Sequence, residues 1–544
     1  MDVDTWALDR ALTYSIPEKF TVSLGCVVRV PLRGRRVRGW VTAVSDTEPQ
    51  GAVLPIAAVS GRGPVFDERL LAAIRDVALN GLHPLSVYLG LMTPPRLGRA
   101  AHRDHPVGDP PTLAVTAGQK TMLRLGPTDD AAAIYKQRID DALKGDRSVI
   151  LTVPEVSEGP SLIANMIDAF ASDAAVVHSA GDPAERSAAL WEASLGKRRL
   201  VLGGRAALFS HPRNLGLIIV HQEHDPSYKE QRSPYYDARQ VALSRAKFEG
   251  ADVIFASQTP SLTTAQMARV QGWRSVEPDR AKERAWWPTV ELLEPPRLGM
   301  PRRAVAAVLE ARRQGGRSMI LLPRAKATRS GPGPLEVEKF ISRVVPQAVV
   351  ARADGASLGG DSSLSEILSA DVVIATEAAL QEVDRPGFAV VVVLGADAFW
   401  SRPSGRAAED AFTTFWSLGS LTVTGKSKAK MLIETAAPEH HVIQAITRGD
   451  YQHFVRRELD ARRAAGAPPY VTLVRLQVTG EASERLMDDL ASLPDTQVLG
   501  PADGRIGQDI LLKVANYPAT CKLLGSILKM SEARILAEVD PRQW

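Results

Sequence analysis

The clearest order in the chain is the spacing of its apolar residues. Between Leu113 and about Leu298, short apolar runs at Ser148–Val153, Ala175–His178, Leu200–Leu202, Leu217–Val220 and Val253–Ala256 alternate with helical patterns such as Ala132–Leu143 and Pro160–Ala171. Continuous runs rich in β-branched residues predict strands buried on both faces, and their alternation with helices predicts a parallel sheet. The rhythm repeats from Pro301 to about Pro438, with strands expected at Ser318–Leu322, Ala348–Ala351, Val372–Ala375 and Val390–Leu394. Residues 1–98 are different. Strand-like runs at Val27–Val30 and Trp40–Val44, set between Gly and Pro turns and followed by a helical pattern at Leu70–Leu79, predict a small β-rich module. Pro94–Pro111 has no periodicity and reads as a linker. The final segment opens on a charged helix, Asp450–Ala464, stopped by Gly466 and Pro468-Pro469. It continues as strand, helix, strand, strand, helix, strand through Val471–Val478, Ala482–Ala491, Thr496–Leu499, Ile510–Val514, Pro518–Lys529 and Ile535–Val539. The expected fold is multidomain α/β: a β-rich module at 1–98, a linker at 99–113, two parallel α/β lobes at 114–299 and 300–437, and an α+β domain at 438–544.

Composition changes this picture little. A chain of 544 residues exceeds what one core fills, and 45% apolar with 24% charged residues is ordinary for globular proteins. A net charge of +4 is too small to hold a polyanion by its overall field, so nucleic-acid binding has to come from local patches. Cys26 and Cys521 stand almost a full chain apart with no CxxC pair, so neither a disulfide framework nor a Cys-based zinc site is expected, and the cytoplasm is the expected compartment. The opening MDVDTWALDR lacks the apolar stretch of a signal peptide, and the longest apolar run, around Phe388–Leu394, has the length of a strand. No membrane partner is expected.

The candidate chemistry lies where the strand Leu215–Val220 ends. Open α/β sheets place ligands at the carboxyl ends of their strands, and here the strand runs into His221-Gln222-Glu223-His224-Asp225. A nucleotide-driven motor carries Asp-Glu-x-His at this position, with acids to hold Mg²⁺ and orient the attacking water; in this chain the leading acid is His221. The segment that follows, with Tyr228, Lys229, Arg232, Tyr235, Tyr236 and Arg239, is a basic and aromatic set suited to a nucleic-acid strand. Packing in a tight loop stays open for the three tyrosines, and a leftover buried polar pair is preferred to catalysis for Glu223 and His224. Arg33, Arg35, Arg36 and Arg38 form a basic hairpin-like loop, read either as a solvated turn or as phosphate contacts. His83, His102 and His105 lack a second cluster of ligands and are not assigned to a metal.

Many short blocks, in order, resemble the PriA family of superfamily 2 helicases, which act in bacterial replication restart. Pro17-Glu18, Gly25–Pro31, His83-Pro84 and Pro94-Pro95 are similar to its N-terminal module, which captures the 3′ end of a nascent strand. Val153-Pro154-Glu155, His178-Ser179, Gly204–Phe209, Asn214–Val220, His224–Lys229, Ala238-Arg239 and Ser257–Leu262 follow the first motor lobe, and Leu394–Asp397 the second. Pro438–His440, Arg457–Leu459, Pro468–Tyr470, Leu499–Pro501, Leu511–Lys513 and Asp540-Pro541 resemble its C-terminal domain. The resemblance implies two RecA-like lobes of a helicase, with forked and single-stranded DNA, primosome components and the replicative helicase as partners. It implies DNA-binding roles for Tyr14, Arg33, Arg35, Arg36, Arg205, Tyr228, Lys229, Tyr235, Tyr236 and Arg239, in a cytoplasmic, nucleoid-associated protein.

Departures from the family pattern fall on the motor. Its phosphate loop, GxTGSGKT, corresponds to Gly126–Ala133, which reads GPTDDAAA. Such a loop wraps phosphates with backbone N–H groups, neutralises them with Lys and ligates Mg²⁺ through Ser or Thr. Beyond Gly126 and Thr128, Ala131 and Ala132 replace a Gly and the Lys, Ala133 replaces the hydroxyl, and Asp129 and Asp130 face the place of a polyanion. Like charges about 4 Å apart near a protein surface repel by roughly 4 kcal/mol. The QxxGRxGR motif corresponds to Phe415–Leu421, which has no arginine, and losing one transition-state arginine costs on the order of 10³ in rate. The family's eight zinc-binding cysteines are replaced by PRAKATRSGPG, and its winged-helix module has no room between Arg99 and Gln119. Leu12-Thr13-Tyr14 stands where the family's 3′-end module has Phe-Asp-Tyr, and Arg505 is the main survivor of a shortened C-terminal basic loop. Glu377–Glu382, where the family couples ATP to strand movement, is expected as a surface helix start. No ATP, Mg²⁺ or zinc is expected. The expected protein is a fork-binding restart factor without motor activity. An ATP-driven 3′-to-5′ helicase and an interaction scaffold with vestigial DNA surfaces remain as alternatives.

Overall fold

The computed structural model describes residues 11–47, 51–97, 117–154, 161–178, 181–297, 299–324, 326, 331–353, 367, 369–380, 387–423, 428–504 and 507–542. The chain forms two compact units, the first made of 1–125, 129–276 and 468–541, the second of 126–128, 277–467 and 542–544. The expected linker, Glu155, Ser179 and Arg505 lie largely or wholly outside the described residues.

The first unit begins with strands β1 (Val27–Leu32), β2 (Arg35–Trp40) and β3 (Ala58–Ser60) in the antiparallel order β2-β1-β3, followed by helices α1 (Glu68–Gly81) and α2 (Leu85–Met92). Two expectations change here. The second strand lies before Trp40, not after it, and Arg35, Arg36 and Arg38 belong to that strand, so only Arg33-Gly34 turns. Asp67 caps α1 by accepting a hydrogen bond from the Leu70 amide. The first lobe contains β4 (Lys120–Arg124), α3 (Ala131–Lys144), β5 (Ser148–Thr152), α4 (Leu162–Ala169), β6 (Ala174–Val177), α5 (Pro183–Ser194), β7 (Leu200–Gly203), β8 (Leu215–His221), α6 (Ala238–Glu249), β9 (Asp252–Ser257), α7 (Leu262–Val270) and β10 (Arg274–Val276). Its sheet is parallel throughout, in the order β10-β4-β9-β8-β5-β7-β6. Strand β8 is interior and buried from Leu215 to Val220, as its unbroken apolar run requires.

The second unit contains α8 (Arg280–Trp286), β11 (Thr289–Leu293), α9 (Arg302–Arg313), β12 (Ser318–Leu322), α10 (Pro334–Val344), β13 (Val350–Ala353), β14 (Val372–Thr376), α11 (Glu377–Leu380), β15 (Val390–Val393), α12 (Asp397–Trp400), α13 (Ala407–Ser420), β16 (Lys430–Glu434), α14 (His441–Arg448) and α15 (Tyr451–Ala464). Its sheet is also parallel, ordered β11-β16-β15-β12-β14-β13. Glu377 opens a helix as expected and binds Arg402 and Thr414.

The chain then returns to the first unit with β17 (Thr472–Thr479), α16 (Glu484–Ala491), β18 (Thr496–Asp503), β19 (Gly507–Val514), α17 (Tyr517–Met530) and β20 (Ile535–Val539), an antiparallel sheet ordered β18-β19-β17-β20. One core cluster joins Leu70, Ile74 and Tyr88 of α1 and α2 to Ile150, Ile218 and Phe255 of the first lobe. Another joins Leu82 to Leu476, Leu512 and Leu524 of the final domain. The N-terminal helices are therefore part of the same hydrophobic body as the first lobe. Polar ties reinforce this. Ser244 and Lys247 donate to Asp76, and the Tyr517 hydroxyl donates to the Asn80 carbonyl at 2.6 Å.

Candidate functional site

The N-terminal module presents cationic side chains to solvent. Arg33 and Gly34 both have positive φ, 48° and 77°, the backbone that a two-residue hairpin needs to match strand twist. Arg33, Arg35 and Arg36 around this turn are exposed. Beside the ribbon lies a cavity of about 1010 Å³, whose lining includes Leu12, Thr13, Tyr14, Val28, Val30 and Trp40. The Tyr14 hydroxyl donates to the Pro31 carbonyl at 3.0 Å, which fixes the tyrosine between cavity and ribbon. Burial pushes its pKa up, so the phenol keeps its proton. Arg75 of α1 and Lys522, Ser526 and Lys529 of α17 also line the cavity. The sequence reading missed these residues. Positions 522, 526 and 529 share one helix face, but nothing in the sequence brought that face to the N-terminal module.

The loop after β8 is built the other way round. Glu223 is fully buried and accepts hydrogen bonds from the Ser261 amide and hydroxyl and from the Thr264 hydroxyl, with Arg239 at 3.8 Å. Burial pushes its pKa up against those donors and Arg239. His224 Nδ1 lies 2.6 Å from the Ser257 hydroxyl, and His221 Nδ1 lies 2.9 Å from the Tyr135 hydroxyl. Burial, then the neighbouring His224, lowers the His221 pKa to about 4, so at neutral pH this position carries no charge.

The stacking and phosphate roles expected of this loop do not fit its conformation. Tyr228 is fully buried, and its hydroxyl shares its one proton between the carbonyls of His221 at 2.6 Å and Thr152 at 3.0 Å. Lys229, 4% exposed, donates to the carbonyls of Tyr235 and Val539 at 2.6 Å each, joining the loop to β20. Tyr236 is buried edge-on to Phe209, and half-buried Tyr235 lies 6.0 Å from the His83 ring. Arg239 is held by Asp237 and the Glu223 carbonyl, and Arg205 by Glu230 and the Ser227 carbonyl. The physical reason is local: the loop closes on itself through the Lys229–Asp237 bridge and the Glu230 amide bonded to the Tyr236 carbonyl. Its long side chains turn inward to satisfy carbonyls that no sheet partner reaches.

At the phosphate-loop position, β4 ends at Arg124 and α3 starts at Ala131. A helix start of this kind attracts anions through its free amides and dipole. In this chain Asp130, the N-cap of α3, places its own carboxylate 3.1 Å from the Ala133 amide. Gly126 is buried, whereas Thr128, Asp129 and Asp130 are exposed, and Ala132 packs against the lobe core. The residues do not fit a triphosphate with Mg²⁺: the capping amide is occupied by a carboxylate, and Ala132 and Ala133 supply neither ammonium nor hydroxyl. In the second unit, Phe415, Trp416 and Leu418 lie fully buried in α13. A Cβ on Gly419 would meet the Trp287 ring at 2.6 Å, and the Trp287 ring lies tilted by 34° against Trp416 with ring centroids 4.4 Å apart. This helix face is packed with aromatic rings, which leaves no space for guanidinium groups. Among the described residues, no group of three or more His, Cys, Asp or Glu is arranged to hold a metal ion, and no helix is long and apolar enough to cross a membrane.

Comparison with known proteins points to one family. Residues 2–94 match the PriA 3′DNA-binding domain (3′BD). The replication restart protein PriA of Rickettsia prowazekii (strain Madrid E) is 24% identical over 517 residues, covering 80% of this chain and 80% of that protein. Its counterpart from Bacillus subtilis (strain 168) is 25% identical over 451 residues, covering 69% of this chain and 56% of that protein. Among solved structures, RecG bound to a three-way DNA junction is similar at a TM-score of 0.43 and 16% identity, over 63% of this chain and 44% of that one. The chain is thus similar to the PriA 3′DNA-binding domain at its N-terminus and to replication restart proteins PriA over most of its length.

Proposed function

We propose that this chain recognises abandoned or stalled replication forks by holding branched DNA, and promotes primosome assembly and reloading of the replicative helicase without hydrolysing ATP. The observation that carries the reading is the Asp130 carboxylate on the α3 amide. An internal anion at the one helix start where a motor would seat phosphate competes directly with nucleotide, and Ala132 and Ala133 offer no compensating charge or hydroxyl. Neutral His221, bonded to buried Tyr135, likewise supplies no negative ligand for Mg²⁺. The N-terminal domain supports the DNA side of the reading: exposed Arg33, Arg35 and Arg36, and a cavity with Tyr14 and apolar walls for a strand end and Lys522 and Lys529 at its rim. The compartment that suits this role is the cytoplasm, at the nucleoid.

Fork binding with and without ATP and Mg²⁺ tests the proposal. Equal affinity in both conditions, preference for a fork over plain duplex, and no DNA-stimulated phosphate release above background are expected. Phosphate release that rises with added DNA would restore the motor reading.

A further inference from the structure

In the second unit, α14 and α15 meet at a sharp corner. Gly449, with a φ of 56°, ends α14, and Asp450 caps α15 by accepting a hydrogen bond from the His453 amide at 2.9 Å. The last side chain of α14 is thereby brought onto the first turn of α15: Arg448 Nη1 lies 3.2 Å from His453 Nε2, and its Nη2 donates to Gln444 at 2.9 Å. A guanidinium can only donate, so the imidazole accepts and is neutral. Burial first, then Arg448, with Arg456 and Arg457 adding to it, lowers the His453 pKa against the pull of Asp450. Arg456 and Arg457 stand three and four positions after His453, hence on its side of the helix, while Tyr451, Phe454, Val455, Glu458 and Leu459 fill the buried side. Three exposed guanidinium groups therefore gather about one uncharged ring.

The acids nearby are already engaged. Asp450 also pairs with Arg280 at 3.2 Å, Glu458 is bound to His441 and Arg462, and Glu277 accepts from Gln452. Among the described residues, the side chains of Arg456 and Arg457 make no hydrogen bond or ion pair, and neither does that of exposed Asp460 beyond them. We propose that Arg448, Arg456 and Arg457 form a contact of the second unit for the phosphate backbone of a DNA duplex. The proposal rests on the reading that DNA is the ligand of this protein. The chemistry of the face selects this occupant. A protein partner needs apolar or aromatic anchors at the centre of its interface, and the exposed apolar residues of α15 are Ala461 and Ala464. A single strand is held by stacking its bases on aromatic rings, and Tyr451 and Phe454 are buried. A duplex backbone asks only for cations, and guanidinium forks suit its phosphate oxygens without base preference.

The test uses the full chain and two probes, a blunt-ended duplex and a trinucleotide with a free 3′ hydroxyl. For Arg456→Gln/Arg457→Gln, duplex affinity should fall on the order of tenfold and the slope of log K against log salt should become shallower by about 2. Trinucleotide affinity and the unfolding midpoint should not change. Lys136→Gln/Arg138→Gln removes the same charge from the exposed side of α3 and should alter none of these quantities. Unchanged duplex affinity and slope in the first variant would overturn the inference and leave the patch to an acidic protein segment. An equal loss in the second variant would also overturn it, by reducing the effect to overall charge. Duplex affinity that depends on Arg456 and Arg457 without any preference for a fork would keep this contact and remove the fork reading instead.

Discussion

Two clusters of basic and aromatic residues look alike in the sequence and end in opposite places. The set Arg33, Arg35, Arg36 stands on a tight hairpin with its side chains in solvent. The set Tyr228, Lys229, Tyr236, Arg239 is folded inward: Tyr228 and Lys229 donate to carbonyls, Arg239 to the Asp237 carboxylate, and Tyr236 packs edge-on to Phe209. The difference is one of backbone supply. A two-strand ribbon satisfies its own amides and carbonyls through its ladder, which leaves its side chains available to a ligand. An irregular loop over a strand end has carbonyls to satisfy, and the nearest long donors are recruited to do it. A motif made of the right residue types is therefore a binding site only where the local backbone is already satisfied.

Four measurements sharpen or break this contrast, the largest effect first. Lys229→Ala leaves the Tyr235 and Val539 carbonyls without their buried donor and removes one cation from the neighbourhood of Asp237, Asp540 and Glu538. Loss of one partner from a buried charge set should cost about 3–5 kcal/mol in urea unfolding. A variant of wild-type stability with weakened DNA binding would put Lys229 on the surface after all. Next is acid. His83 is buried with Nε2 2.9 Å from the Ala537 carbonyl, and burial, the largest influence, lowers its pKa to about 4. Its folded pKa lies below the unfolded value near 6.5, so the unfolded chain takes up the proton first as pH falls. Its contribution to stability is complete above about pH 6.5 and is lost towards pH 4, on the order of 3 kcal/mol. The slope of unfolding midpoint against pH in that window should flatten in His83→Gln; an unchanged slope would contradict the buried neutral imidazole.

Third, reversing Arg33, Arg35 and Arg36 to Glu should lower fork affinity on the order of 100-fold at moderate salt while the unfolding midpoint moves little. A large stability loss with DNA binding intact would invert the comparison. The smallest effect is at Asp130. Replacing this N-cap with Ala should destabilise by about 1 kcal/mol, and fluorescent nucleotide titration should detect no gain in ATP affinity, because Ala132 and Ala133 still lack charge and hydroxyl. Tight binding after this single change would show that the carboxylate alone closed the site.

Strand prediction succeeded where burial is complete on both sides. The runs at Leu217–Val220 and Ser318–Leu322 lie inside the observed strands, and Ser148–Val153 and Val390–Leu394 overrun theirs by one residue, because a parallel sheet covered by helices demands unbroken apolar residues. It failed where charge sits at strand ends. Lys120–Arg124 and Lys430–Glu434 were missed, and β2 was displaced beyond Trp40, because RRVRGW carries its arginines on an exposed ribbon. At the candidate site, the exposed arginines and Tyr14 were legible, whereas Arg75, Lys522 and Lys529 were not.

The amino-acid order by itself determined the two parallel lobes, the altered phosphate loop and the absence of arginine from Phe415–Leu421, since those depend on local apolar rhythm and on which residue occupies a given place. Tertiary structure alone decided which cations face water. It brought α17 to a cavity formed by residues more than four hundred positions earlier, and it turned Lys229 inward to β20. Side-chain accessibility is set by what the rest of the chain packs against each residue, and no short-range pattern encodes that.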